Sequence, residues 1–249
     1  MNASLSAHQR AALDHYYQLL ENYPDLFSGR PQRPIVQEAA TLEAFAAEHQ
    51  VVLGVACETP YVWLLNDLVR SHVPSGATVL HPYLRLIAPP QFASILGPGV
   101  VVLATIEATD GPGEKVVLVE QERHATGQRE LELPRGFGEP GIPAEEQALR
   151  ELRQETGYTA SEATYLGTTL TDSGTTDRAA SFFHVRATAA APAEPEAHEA
   201  IVRHVLLSAD ELWARIDSGE VRDAFTVQAL ALYERHAARN GGSRRRAGL

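Results

Sequence analysis

The chain has 249 residues, 44% hydrophobic and 21% charged, which excludes disordered, collagen-like and coiled-coil classes and predicts one or two domains with a substantial core. Its 21 Lys and Arg against 32 Asp and Glu leave a net charge of −11, with Lys115 the one lysine, so a general nucleic-acid or anionic-membrane surface is excluded and any phosphate ligand needs local help. The single cysteine, Cys57, excludes an internal disulfide framework and a cysteine-built zinc knuckle; it fits a reducing, cytoplasmic setting and reads as a buried strand residue in the run VACET.

In chain order, Ser6 and Gln9 stand at capping-box spacing before Leu13, Tyr16, Tyr17 and Leu20 on one helical face, which predicts an amphipathic helix. The N-terminus shows no charged region followed by an apolar core, so no signal peptide is expected. A short helix over Leu42–His49 leads into an apolar run, Val51–Ala56, that reads as a strand. Tyr61–Val69 and Tyr83–Ile87 read as further strands, or as a strand and a short helix. Ile87–Ile106 carries no charge over a length that could span a bilayer. Pro89, Pro90, Gly97, Pro98 and Gly99 interrupt it, so two strands around a turn are expected and no membrane span.

From Val100, VVVLATIE and KVVLVEQ are β-branched runs joined by the turn-rich TDGPG, a predicted hairpin. A helix is expected over Pro143–Thr156, with proline in its first turn, Glu145 and Glu146 at its positive end, and Gly157 as its stop. Strands follow at Tyr165–Leu170, Ser181–Ala187 and Ile201–Leu206, the last two separated by the loop APAEPEAHE. Ser208 and Glu211 form another capping box for a helix that Gly219 closes, and a final helix spans Asp223–Arg239. The tail GGSRRRAGL is expected to be disordered.

The chemistry concentrates in LPRGFGEPGIPAEEQALRELRQETGY, residues 133–158. Glu151 and Glu155 lie four apart on one helical face, with Ala148, Leu149 and Leu152 available for packing. Taken alone, such a pair is ordinarily a solvated face. Held rigidly, it can grip one hard divalent cation, since Mg²⁺ binds through one or two carboxylates plus waters and substrate phosphates. The glycine-rich loop Gly136–Gly141 immediately precedes the helix and can fold back over that face.

This order resembles the Nudix box, whose pattern is glycine, five residues, glutamate, seven residues, then Arg-Glu-aliphatic-x-Glu-Glu-x-Gly-aliphatic. Gly136, Arg150, Glu151, Leu152, Glu155 and Gly157 fall in register, with Tyr158 at the last apolar place. Ile142 stands where the first glutamate belongs, and Gln154 replaces the first member of the Glu-Glu pair. The flanks resemble the ADP-ribose pyrophosphatase branch: Glu132, Leu133 and Pro134 match its Glu-Leu-Pro step, TDSGTTD from Thr171 to Asp177 its later loop, and SGEVRDAFTVQALALY its closing helix. The resemblance covers about Val100–Tyr233.

It implies an α/β fold, a Nudix-type α/β/α sandwich with a mixed sheet, preceded by an N-terminal extension. The expected division is 1–87 for the extension, 88–240 for the Nudix domain and 241–249 for the tail. It implies that Glu151 and Glu155 ligate Mg²⁺ or Mn²⁺, with the carbonyl of Arg135 as a third ligand, and that Glu196 or Glu199 from the later loop is the general base. For those two, a merely solubilising acidic loop is the competing reading. With Ile142 unable to pair with it, Arg150 must find another carboxylate, Glu139 or Glu146. Arg123, Glu132 and Gly136 are the expected substrate contacts.

The expected activity is metal-dependent hydrolysis of the diphosphate bond of a nucleoside diphosphate sugar such as ADP-ribose. A non-catalytic nucleotide-sugar-binding domain and a diphosphatase of a dedicated biosynthetic pathway are the alternatives. N-terminal strands in this branch often build a dimer, which implies a homodimer. Elsewhere, Trp63, Tyr61 and Trp213 read as core residues, Arg85 and Arg178 as possible phosphate or sugar contacts, and His198 and His204 as surface residues. No Lys-Ser or Lys-Thr step ends a glycine-rich run, which excludes an ATP-binding P-loop.

Overall fold

A computed structural model describes residues 4–73, 75–89, 97–109, 111–139, 141–189, 192–194 and 200–240. The expected general-base candidates Glu196 and Glu199, His198 and the arginine tail lie outside the described residues. The chain divides into two compact units, Met1–Ser94 with Asp172–Asp177, and Ile95–Thr171 with Arg178–Leu249.

The first unit opens with α1 (Ala7–Asn22), whose first turn is closed by the reciprocal Ser6–Gln9 capping box. A 3₁₀ turn (Pro24–Phe27) and α2 (Ala39–His49) follow. Three antiparallel strands, β1 (Gly54–Glu58), β2 (Trp63–His72) and β3 (Thr78–Ile87), form a meander. Leu13, Tyr16, Leu42, Leu53, Leu65 and Leu68 make its core. Inside that core Asp67 receives the Tyr16 hydroxyl and the Arg85 guanidinium.

Three expectations change here. β1 starts at Gly54 rather than Val51: α2 ends on Gln50 in the left-handed region, and Val51 bonds back to the Ala46 carbonyl as part of that cap. Gly54 itself has φ 94° and lies against the Ala12 carbonyl, where a β-carbon would overlap. Cys57 is exposed, because a bulge between Val55 and Cys57 breaks the in–out alternation. Tyr61 is exposed as well, whereas Trp63 is in the core.

The second unit is built on a seven-stranded mixed sheet. β4 (Gly97–Glu107) and β5 (Glu114–Arg123) form the expected hairpin, with Glu107 opposite Glu114. β6 (Gln128–Glu132) returns along β5, and β7 (Arg135–Gly138) pairs with β4. The helix α3 (Ala144–Thr156) ends on Gly157 with φ 74°, in the left-handed conformation that glycine adopts without penalty. Then come the short β8 (Tyr158–Thr159), β9 (Thr164–Leu170), β10 (Ala179–Arg186), β11 (Thr188–Ala189), β12 (Ile201–Leu207), α4 (Ala209–Asp217) and α5 (Ala224–Arg239). β10 runs parallel to β4 and antiparallel to β9.

Alternation along β4 supplies both faces of this sheet. Val101 and Leu103 join Leu212, Ala229 and Leu230 of α4 and α5 on one side, while Val100, Val102 and Ala104 join Ala148 and Leu152 of α3 on the other. The unit is therefore the expected α/β/α sandwich with a mixed sheet. β7 takes up the first half of the segment Gly136–Gly141, expected to be a glycine-rich loop, and begins one residue before it. Its two glycines have little strand propensity, and it is strand because β4 pairs with it. Among the described residues no helix is long and apolar enough to cross a membrane.

Candidate active site

The helix α3 brings Gln147, Glu151 and Glu155 into a single line, each four residues from the next. All three are buried, at 2%, 7% and 2% exposure, so the pair of glutamates is not a solvated face. The ridge lies against the start of β7. The Arg135 backbone N–H donates to Glu155 Oε2 at 3.2 Å, and Glu151's carboxylate sits so close to Gly136 that a β-carbon there would overlap it. Gln147 Nε2 donates to Glu151 Oε1 at 2.8 Å. Sequence reasoning missed Gln147; its signal was the same four-residue spacing extended one turn back.

The departures from the box fall beside this ridge rather than on it. Gln154 is exposed, and its carbonyl accepts the Glu194 N–H at 2.9 Å. Ile142 is half-buried in the turn before α3, where its N–H bonds the Glu139 carbonyl. Arg150 points outward and pairs with both Glu139, at 3.4 Å, and Glu146, at 3.3 Å. His204 of β12 lies within hydrogen-bond distance, 2.8 Å, of the Glu155 carbonyl and so steadies the last turn of α3.

Behind Glu155 lies a charged group that the sequence assigned only in pieces. Glu132, 1% exposed, accepts from Arg123 Nε and Nη2 at 2.8 and 2.7 Å, and from Arg135 Nε and Nη2 at 3.0 and 2.7 Å. Burial alone would raise its pKa, but the two guanidiniums outweigh that and hold the carboxyl below the ordinary range. The bond to Glu132 in turn raises the pKa of Arg123. Glu132 thus has both oxygens occupied by arginines, while each arginine retains further donors and about a third of its exposure.

The closing helix fixes this group from the other side. Asp223 caps α5 by accepting the Thr226 N–H, and it stands 3.7 Å from Arg135. Thr226 Oγ1 accepts the Leu133 N–H at 3.1 Å, and Arg135 lies over the Phe225 ring at 4.6 Å. Arg222 adds a pair with Glu130. Arg178 lies over the exposed Phe137 ring at 5.5 Å, whereas Arg85, offered by the sequence as a phosphate or sugar contact, is bound to Asp67 in the core of the first unit.

A glycine at 136 meeting a glutamate one helix away, with a second glutamate on the strand's first N–H, is the arrangement that the box spacing encodes. A family model for the NUDIX domain matches residues 97–245. The chain belongs to the Nudix family. An ADP-ribose pyrophosphatase of Bacillus subtilis (strain 168) is 31% identical over 134 residues, 53% of this chain and 70% of the relative. A crystal structure of an ADP compounds hydrolase shares the fold, with a TM-score of 0.56 and 16% identity over 76% of this chain and 93% of its own. The Nudix match therefore covers the second unit's helix α3, its sheet and the closing helix, and the chain is of the ADP-ribose pyrophosphatase-like branch.

The ridge also fits the cation that the fold implies. Two carboxylates one turn apart repel each other, and burial sharpens that repulsion. A hard divalent ion with mostly water and phosphate ligands needs no more than one or two protein carboxylates. Among the described residues no group of three His, Cys, Asp or Glu side chains is arranged as a metal cage. The group that Arg135 turns to Glu155 is its N–H.

Proposed function

We propose that this Nudix domain hydrolyses the diphosphate bond of a nucleoside diphosphate sugar of the ADP-ribose class, releasing a nucleoside monophosphate and a sugar phosphate. The observation that carries this reading is the burial of Glu151 and Glu155 on one face of α3, directly against Arg135 and Gly136. Glu151 and Glu155 would hold Mg²⁺ or Mn²⁺. When bound, that ion would supply charge neutralisation of the diphosphate and Lewis-acid polarisation of a phosphorus centre.

The remaining tasks belong to the chain. Arg123 and Arg135, oriented by Glu132, present their other N–H donors to phosphate oxygens. Gly136 keeps the strand close to Glu151. Glu196 and Glu199 are proposed as alternative general bases; the described anchors bracketing them are Glu194 on the Gln154 carbonyl and Ala200 on the Glu122 N–H. Arg150, tied to Glu139 and Glu146, acts by holding the turn before α3. The homodimer, the cytoplasmic setting and the division of the chain at residue 87 belong to the same proposal.

A second reading, a domain that binds a nucleotide sugar without cleaving it, is favoured by one observation, the loss of the box's first glutamate at Ile142. A release assay over a panel of nucleoside diphosphate compounds with Mg²⁺ and Mn²⁺ separates the two, with Glu155→Gln as the control. Turnover that falls by more than about 100-fold in the variant supports hydrolysis, since even outer partners of a metal site cost 10- to 100-fold. Equal inertness of both proteins, with nucleotide sugar bound by both, would replace the hydrolase reading by the binding one.

A further inference from the structure

We propose that Gln147 is the positioning residue for Glu151, fixing the carboxylate's rotation before a divalent cation arrives; this rests on the reading of Glu151 as a metal ligand. Gln147 is 2% exposed and lies one turn before Glu151 on the buried ridge of α3. Its Nε2 donates to Glu151 Oε1 at 2.8 Å, and the reversed amide would set two acceptor oxygens face to face, so chemistry fixes which end points at Glu151. With Gly136 on one side of the carboxylate and Gln147 below it, Glu151 is held from two directions.

The other end of the same amide shows that this is not ordinary packing. Gln147 Oε1 is buried and has no hydrogen-bond partner among the described residues. A buried acceptor without a donor carries a desolvation cost that an apolar side chain of the same length would avoid. A residue chosen for packing alone would be Met or Leu at this place. The amide is explained by what its donor does for Glu151.

The test uses the full chain, with Mn²⁺ as the probe and binding followed by electron paramagnetic resonance in the absence of substrate. Gln147→Met keeps the volume and removes the donor; Gln147→Asn keeps the amide but is one methylene too short. Both are expected to weaken Mn²⁺ binding by about 10- to 100-fold, the range for partners that orient a metal ligand. The Mn²⁺ concentration for half-maximal turnover should rise by the same factor. The metal-free melting temperature of Gln147→Met should be unchanged or higher, because the orphaned acceptor is gone.

Wild-type Mn²⁺ affinity in the folded variants, with binding lost in Glu151→Gln, overturns the role of Gln147 and leaves the metal reading standing. A lower melting temperature with unchanged Mn²⁺ affinity does the same, by making Gln147 a packing residue. Unchanged binding in Glu151→Gln overturns the metal reading itself, and the proposal with it. If Gln147→Met does not fold, Gln147→Asn decides the question on the same readouts.

Discussion

The carboxylate of Glu151 occupies the space that a β-carbon on residue 136 would need. Strand and helix are matched at this point by contact, and the three atoms nearest to such a β-carbon belong to the far end of the Glu151 side chain rather than to backbone. Gly136→Ala should therefore cost little fold stability, less than the 1–3 kcal/mol (about) of a rigid overpacked core, while swinging Glu151 away from its place. The expected outcome is a melting temperature within a few degrees of wild type, roughly, together with strongly reduced Mn²⁺ affinity and turnover. Wild-type Mn²⁺ affinity in Gly136→Ala would show that Glu151's present position is not the binding one.

Glu132 links two arginines that face the proposed phosphate site, and its removal tests whether they stay in place. Glu132→Gln leaves two guanidiniums without their shared carboxylate, an effect of about 3 kcal/mol for a buried pair whose arginines are partly exposed. The sign with pH follows from the lowered folded pKa: the stabilisation is present above the unfolded carboxyl value of 4.5 and is lost as pH falls through the lower folded value. Urea unfolding at pH 7 should show a clear gap between wild type and variant that closes in strongly acidic buffer. A gap that stays constant across that range would assign the loss to packing rather than to the ion pairs.

How far the sequence reveals this molecule depends on the reach of each signal. The capping boxes at Ser6–Gln9 and Ser208–Glu211, the Gly157 stop and the β-branched hairpin are local, and each element formed where its residues indicated. β7 is invisible in the sequence because Arg-Gly-Phe-Gly has no strand pattern of its own and borrows its conformation from β4. Cys57, expected to be buried from the run VACET, is exposed because a bulge between Val55 and Cys57 shifts the register of β1, and no apolar run announces a bulge. At the site, the spacing of Glu151 and Glu155 gave the shared face, but only packing shows that the face is buried. Gln147 stayed hidden because an isolated Gln four residues before a Glu reads as an ordinary surface pair.

Arg85 offers a clean separation between structural and substrate roles. Its side chain is 11% exposed, binds Asp67 through Nε and Nη2, donates to the Leu26 carbonyl at 3.1 Å and lies over Phe27. Arg85→Met leaves Asp67, at 1% exposure, with the Tyr16 hydroxyl as its one side-chain donor among the described residues, which should cost about 3–5 kcal/mol in chemical unfolding. KM for the diphosphate substrate should remain at the wild-type value under conditions where the variant is folded. A raised KM with unaltered stability would return Arg85 to the substrate-binding set.

His184 should make stability depend on pH across the weakly acidic range. It lies on β10, 3.1 Å from the Thr105 hydroxyl and 4.6 Å from the Tyr233 ring, and burial, with smaller effects of Arg186 and His236, lowers its pKa from 6.5 to about 4. The unfolded chain therefore takes up a proton near pH 6.5 that the folded chain refuses until about pH 4. The His184 contribution lowers stability as pH drops through that window and levels off below it, because both states then carry that proton. The full effect is about 2–3 kcal/mol after allowing for partial exposure. His184→Gln, which keeps a partner for Thr105, should flatten the dependence between pH 6.5 and 4, measured by urea midpoints. An imidazole resonance of His184 that titrates near its ordinary value in the folded protein would contradict the burial that produces this slope.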